Sequence, residues 1–226
     1  MAGYRRRGAQ QEFAVIGLGR FGSSVALTLM SRGHSVLGID RDPEIVQDLS
    51  DRLTQAVALD STDEAALQAV DIASFRTVVI GIGTNFEANL MTMAAVKSLC
   101  TSTVICKATT ERQRDILLKL GADRVVLPEF EAGARLAENL AHPGQINSMD
   151  VGSDYCITEM RAPSETYGRM LHDASFTRRY HVFVVAVRRG SRVIPTPPPD
   201  FEVAAGDTLV VLGAADEILR LTDDEG

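Results

Sequence analysis

Nowhere in the 226 residues do about 18 apolar side chains follow one another, so no segment has the length to cross a bilayer as a helix. Cysteine is scarce and odd in number: Cys100, Cys106 and Cys156 form no Cys-x-x-Cys pair, which argues against a disulfide framework and against a zinc site. The three are expected to be small core residues in a reducing cytoplasm. Positive charge is in deficit, with 23 Lys and Arg against 30 Asp and Glu and a net charge of −7. That balance opposes general attraction to DNA, RNA or anionic lipid, and no basic helix-turn-helix flanks the body of the chain. No nucleic-acid partner and no direct membrane insertion are expected. The first eleven residues carry Arg5, Arg6 and Arg7 with no apolar stretch behind them, so residues 1–11 lack the pattern of a signal peptide and are expected to form a mobile tail.

What is present is a 45% hydrophobic content, enough to bury a core in one to two domains, and one conspicuous stretch. Phe13-Ala14-Val15-Ile16 runs into Gly17-Leu18-Gly19-Arg20-Phe21-Gly22, and Phe21, Val25 and Leu29 follow at helical spacing. That is a strand, a tight turn and a helix. Gly17 can take the positive φ of the turn, Gly19 lets backbone approach a phosphate, and Gly22 lets helix and strand pack closely. The helix N-terminus offers unpaired N–H groups and partial positive charge, which suits a pyrophosphate or polyphosphate. A second strand, His34 to Ile39, ends in Asp40, whose carboxylate can accept from both ribose hydroxyls. Asp40 should also repel a 2′-phosphate, while Arg41 beside it pulls the other way.

Further along, Asp42-Pro43 reads as a helix start with Ile45, Val46, Leu49 and Leu53 on one face. Ala56 to Leu59 is a short strand ending in Asp60-Ser61-Thr62, a polar cluster that can contact ligand or cap the next helix through Thr62. Thr77 to Ile82 flows into a second glycine turn, Gly81-Ile82-Gly83-Thr84-Asn85, expected beside the first and facing the adenine or ribose side of the same ligand. Thr103 to Cys106 is a strand with Lys107 at its end, where a cation reaches a phosphate. A helix from Thr110 to Leu120 stops at Gly121, Arg124 to Leu127 is a sixth strand, and Pro128-Glu129 precedes a helix from Phe130 to Ala141. The expected fold class is α/β, a Rossmann-like doubly wound parallel sheet of about six strands, over residues 12–143.

His142-Pro143-Gly144 marks a boundary near Gly144. Residues 144–226 read as a small α+β module, with strands at Asp154 to Arg161 and Tyr180 to Arg188 and a helix at Thr166 to His172 between them. Arg189-Gly190-Ser191 is a hairpin turn into Arg192 to Ile194, and Pro195-Thr196-Pro197-Pro198-Pro199 can only be an extended edge or loop. Thr208 to Leu212 is a last strand and Asp216 to Leu221 a last helix.

The glycine turn with its arginine, Gly33-His34, Ile39-Asp40, Gly121-Ala122-Asp123 and Leu127-Pro128-Glu129 together resemble the regulator-of-potassium-conductance family. The likeness extends from Phe13 to Thr222 and is nearest to the cytosolic subunits of Trk/Ktr-type potassium-uptake systems. The resemblance implies a non-enzymatic ring, usually an octamer built of dimers, held at the inner face of the cell membrane by an integral-membrane potassium pore subunit. It implies ATP or ADP as ligand, or NAD(H). Carried over by motif, Gly17, Gly19 and Gly22 would line the phosphates, Leu18 and Phe21 would belong to the same cofactor-binding turn, and Arg20 would reach a phosphate across a dimer interface. Asp40 and Arg41 would stand at the ribose, and Asp60, Ser61, Thr62, Gly81, Ile82 and Gly83 would frame base and sugar. Lys107 would lie near the phosphates and Glu129 near the dimer axis, where a divalent or monovalent cation can sit between two acidic side chains. The C-terminal module resembles one that takes cyclic di-AMP, with Arg178, Arg179 and Pro195 as candidates. An NAD-dependent oxidoreductase is the rival reading, but His142, His172 and His181 form no recognisable catalytic arrangement.

Overall fold

The computed structural model describes residues 10–99, 102–141, 145–172 and 176–223. The expectations for residues 1–9, Cys100 and His142-Pro143-Gly144 lie outside the described residues. The chain divides into two compact units, Met1–Ala132 and Gly133–Gly226.

Six parallel strands in the order β3-β2-β1-β4-β5-β6 form the first unit. They are β1 (Glu12–Ile16), β2 (Ser35–Asp40), β3 (Gln55–Ala58), β4 (Thr77–Ile80), β5 (Thr103–Lys107) and β6 (Arg124–Val126). Between them run α1 (Arg20–Ser31), α2 (Pro43–Leu49), α3 (Glu64–Ala69), α4 (Phe86–Leu99) and α5 (Glu111–Lys119), and α6 (Pro128–Ala141) follows. Alternate residues of β1 serve two cores, as a sheet covered on both faces requires. Ala14 and Ile16 pack with Ile39, Ile80, Leu67, Met93 and Leu117 on one face. Val15 packs with Val36, Val79, Ala26 and Leu49 on the other. That double burial is why the strands read as unbroken apolar runs. Cys106 is a core residue, and burial pushes its thiol up to about 12, so it serves as a small hydrophobe.

Several boundaries differ from expectation by a few residues, three of them for plain local reasons. The α2 helix closes at Leu49, and Leu53 is buried from the following turn, its N–H donating to Leu49 O at 3.1 Å. The N-cap of α3 is Asp63, which accepts from Ala65 N–H at 2.9 Å. Thr62 is instead drawn to Asp60. The α6 helix begins at Pro128, where proline's fixed φ suits the first helical residue.

The second unit is a five-stranded sheet in the order β10-β9-β11-β8-β7. Its strands are β7 (Gln145–Gly152), β8 (Tyr155–Arg161), β9 (Phe183–Arg189), β10 (Arg192–Pro195) and β11 (Thr208–Ala214), each pair antiparallel. Short α7 (Phe176–Arg179) and α8 (Ala215–Asp223) complete it. Pro195 closes β10 at a sheet edge, where a missing N–H costs no ladder bond. The helix expected at Thr166 to His172 is not formed. Gly168 and Leu171 N–H instead donate to Val203 O and Phe201 O at 2.8 and 2.9 Å, and Met170 bridges to Glu202, so the segment spends its hydrogen bonds on another stretch of chain.

Candidate functional site

The carboxyl ends of β1, β2, β4 and β5 open on a cleft of about 1170 Å³. In open parallel sheets the crevice lies where the strand order reverses, here between β1 and β4. Gly17, at φ 85°, makes the turn that leaves β1, and its N–H donates to Ile39 O at 2.7 Å while Gly81 N–H donates to Ile16 O at 2.7 Å. The first glycine turn is thereby pinned from both neighbouring strands. Gly22 lies directly behind it: a Cβ there would stand 1.8 Å from Gly17 O. Gly19 is the N-cap of α1, with no capping side chain, no acid in the first turn and open space where its own Cβ would be. The first N–H groups of α1 therefore face the cleft without a side-chain acceptor, an arrangement suited to an anion.

Around this corner stand fixed charges of both signs. Asp40 Oδ2 accepts from Leu18 N–H at 2.6 Å and Oδ1 from Asp42 N–H at 3.0 Å, which sets its carboxylate at the end of β2. Thr62 donates to Asp60 Oδ1 from its hydroxyl at 2.7 Å and its N–H at 2.9 Å. Those two bonds, with help from the Arg41 charge, hold the Asp60 carboxyl below the usual range. Ser61 and Thr92 share a buried hydroxyl–hydroxyl bond of 2.8 Å that ties this loop to α4. Opposite, Lys107 Nζ lies 2.7 Å from Glu129 Oε1 and 5.8 Å from the centre of the Phe21 ring. The Lys107 hydrogen bond, reinforced by the N-terminal backbone of α6 and by Arg20, holds the Glu129 carboxyl below its ordinary value.

Of the residues singled out by sequence, Gly17, Gly19, Arg20, Phe21, Asp40, Arg41, Asp60, Ser61, Thr62, Gly81, Ile82, Gly83, Lys107 and Glu129 line this cleft. Leu18 and Gly22 lie behind it. Leu18 is 2% exposed and contributes its N–H to Asp40, and Gly22 supports the turn. Arg178 and Pro195 belong to the second unit, and the Arg179 side chain lies outside the described residues. Sequence reasoning missed Ser24 and Met91 and placed Asn85 only within the second glycine turn. Ser24 is detectable in principle, four residues after Arg20 on the same helix face. Asn85 precedes α4 and accepts from Ala88 N–H at 3.0 Å. Met91 is 51% exposed on α4, and nothing local marks it.

The lining groups are backbone N–H donors, cations of a kind that suits phosphate and carboxylates of a kind that suits hydroxyls. Among the described residues no three His, Cys, Asp or Glu side chains gather as a metal centre, and one chain supplies a single, lysine-paired carboxylate at Glu129. Among the described residues no helix is long and apolar enough to cross a membrane.

Residues 13–128 match the TrkA-N domain family and residues 157–224 the TrkA-C domain family. Every cleft residue except Glu129 and Ala132 falls in the first match. Ktr system potassium uptake protein C of Bacillus subtilis (strain 168) is 33% identical over 211 residues, covering 93% of this chain and 96% of its own. Ktr system potassium uptake protein A of the same organism is 30% identical over 214 residues, covering 95% and 96%. Among solved structures, the GsuK channel bound to NAD shares the fold with a TM-score of 0.65 at 16% identity, over 97% of this chain and 40% of that one. With both domains matched in order and relatives aligned over more than nine-tenths of both chains, the chain belongs to the TrkA-N/TrkA-C family of regulators of potassium conductance, a regulatory and non-enzymatic family.

Proposed function

We propose that this chain is the nucleotide-sensing gating subunit of a Ktr-type potassium-uptake system. Copies of it assemble as a dimer-based ring, an octamer, on an integral-membrane potassium pore subunit at the cytoplasmic face. The observation that carries the reading is the uncapped start of α1 facing a cleft with Arg20 and Lys107 to hand and Asp40 at the ribose end. ATP or ADP is the first choice of ligand. NAD(H) is the second, supported by a cleft of about 1170 Å³ whose lining includes Asp60, Gly17 and Pro128.

ATP carries one phosphate more than ADP, and it needs a cation that ADP leaves unengaged. Arg20 is exposed and lines the cleft, whereas Lys107 is paired with Glu129. Two nucleotides that engage Arg20 differently bind two ring shapes unequally, and only such a difference can shift the equilibrium between them. Coupling of about 1–3 kcal/mol per site, repeated around a ring, gives a steep response. A cation between the Glu129 carboxylates of two copies, and cyclic di-AMP on the second unit near Arg178, Arg179 and Pro195, are further ligands of this reading.

Calorimetric titration with ATP, ADP, NADH and cyclic di-AMP, with particle size from light scattering in each state, tests it. A large ring that binds ATP and ADP is expected. Arg20→Ala should narrow the ATP-to-ADP affinity ratio by about tenfold or more, the worth of a charge-assisted phosphate bond. A monomer indifferent to adenine nucleotides would remove the proposal, and an Arg20→Ala protein with an unchanged ratio would remove its mechanism.

A further inference from the structure

Asn89 is 1% exposed on the inner face of α4 and lines no part of the cleft, yet it holds two pieces of the cleft together. The β4–β5 ladder has its last paired residues at Ile80 and Cys106. Just beyond, Asn89 Nδ2 donates to Ile82 O at 2.6 Å and to Lys107 O at 2.8 Å. One side-chain amide thus bridges two strand ends where the backbone ladder has stopped. Both N–H groups are spent on carbonyls, so the amide cannot be turned over without setting oxygen against oxygen.

Its other end is left wanting. Asn89 Oδ1 is buried and has no hydrogen-bond partner among the described residues. A buried carbonyl without a donor carries a desolvation cost that a leucine of similar volume would not incur. The asparagine is explained by its two donors and by what they hold. Those are the Gly81–Gly83 turn and Lys107, whose Nζ would lie 3.2 Å from a Cβ on Gly83 and whose side chain is only 11% exposed.

We propose that Asn89 is a positioning residue for nucleotide binding: its amide clamps the ends of β4 and β5 and so fixes the Lys107 ammonium over the Gly83 turn, facing phosphate. The inference rests on the nucleotide reading of the cleft and adds a residue that never touches the ligand. It requires the effect of Asn89 to pass through Lys107.

A double-mutant cycle on the full chain, read by ATP titration, tests that requirement. Asn89→Ala should weaken ATP binding about tenfold when Lys107 is present, and less than about twofold in a Lys107→Met background, where there is no ammonium left to place. Equal weakening in both backgrounds, or none in either, overturns the proposal. Should the alanine variant not fold, Asn89→Ser, which keeps one donor, enters the same cycle. If the unmodified chain ignores ATP, the nucleotide reading fails instead, and hydrogen exchange in the ligand-free protein still reports on the clamp. Asn89→Ala should then speed exchange of the Gly81 and Ala108 amides at least about tenfold and leave residues 77–79 and 103–105 unchanged. Uniform acceleration along both strands would mean plain loss of stability and would overturn the clamp itself.

Discussion

Gly22→Ala abolishes nucleotide binding and destabilises the N-terminal unit by roughly 3 kcal/mol or more, at the upper end of overpacking effects. The added methyl would lie 1.8 Å from Gly17 O and 3.0 Å from Gly17 C, backbone atoms that no rotamer change can withdraw. Nor can the glycine turn retreat. Gly17 N–H is held by Ile39 O, and Gly81, whose own Cβ would stand 2.9 Å from Gly17 O, closes the other side. Relief requires α1 to lift away from the sheet, carrying the open N–H groups with it. Gly19→Ala is the matching control. Gly19 has φ −61° and nothing within 4 Å of its Cβ position, so alanine there leaves the melting temperature nearly unchanged. It places a methyl where phosphate approaches, and affinity falls while the fold stands. Thermal melting and ATP titration of the two variants side by side check this. A Gly22→Ala chain that melts with the unmodified one and binds ATP normally would show that the close contact is not needed.

The same contrast explains how far the amino-acid order can be read. The glycine turn, Asp40 and the Gly81–Gly83 turn announce themselves because their chemistry is local: a strand ends, a tight turn follows, a carboxylate stands at the next strand end. Asn89 is silent by the same measure. Its partners are distant in the chain, and on an apolar helix face it reads as one misplaced polar residue. The β7 strand was unforeseen because its register shifts twice, between Gln145 and Asn147 and between Asp150 and Gly152, and each shift breaks the alternation of Ile146, Met149 and Val151. At Thr166 to His172 local helical spacing lost to backbone bonds with residues 199–203. Met91 reaches the cleft only because α4 lies beside it, which no neighbouring residue reveals.

Asp207→Asn lowers the stability of the C-terminal unit by about 2–3 kcal/mol at neutral pH, the cost of spoiling a buried, multiply bonded carboxylate whose cationic partner is half in water. The Asp207 side chain is fully buried, and Arg189 grips it with two parallel bonds of 2.7 Å, Nε to Oδ1 and Nη2 to Oδ2. Ala204 N–H donates to Oδ2 at 2.9 Å, Arg189 Nη2 also reaches Glu202 O at 2.8 Å, and the guanidinium lies 5.0 Å from the Phe201 ring. One carboxylate thus fastens β9 to the turn that opens β11. The Arg189 hydrogen bonds, with the Ala204 N–H, hold the Asp207 carboxyl below its ordinary value. A folded-state value below the unfolded one means stability that is complete above the unfolded value, near 3.9, and lost as pH falls through the folded one. The asparagine variant has no such proton to take up, so its deficit shrinks in acid. Tyrosine emission reads this unit selectively. The chain has no tryptophan and four tyrosines, Tyr4, Tyr155, Tyr167 and Tyr180, and only Tyr4 lies outside the C-terminal unit. Urea unfolding followed by that signal should give a deficit of about 2–3 kcal/mol at pH 7 that narrows below about pH 4. A deficit that stays constant from pH 7 to pH 3 would show that the asparagine disturbs packing, and that the carboxylate charge is not what fastens the turn.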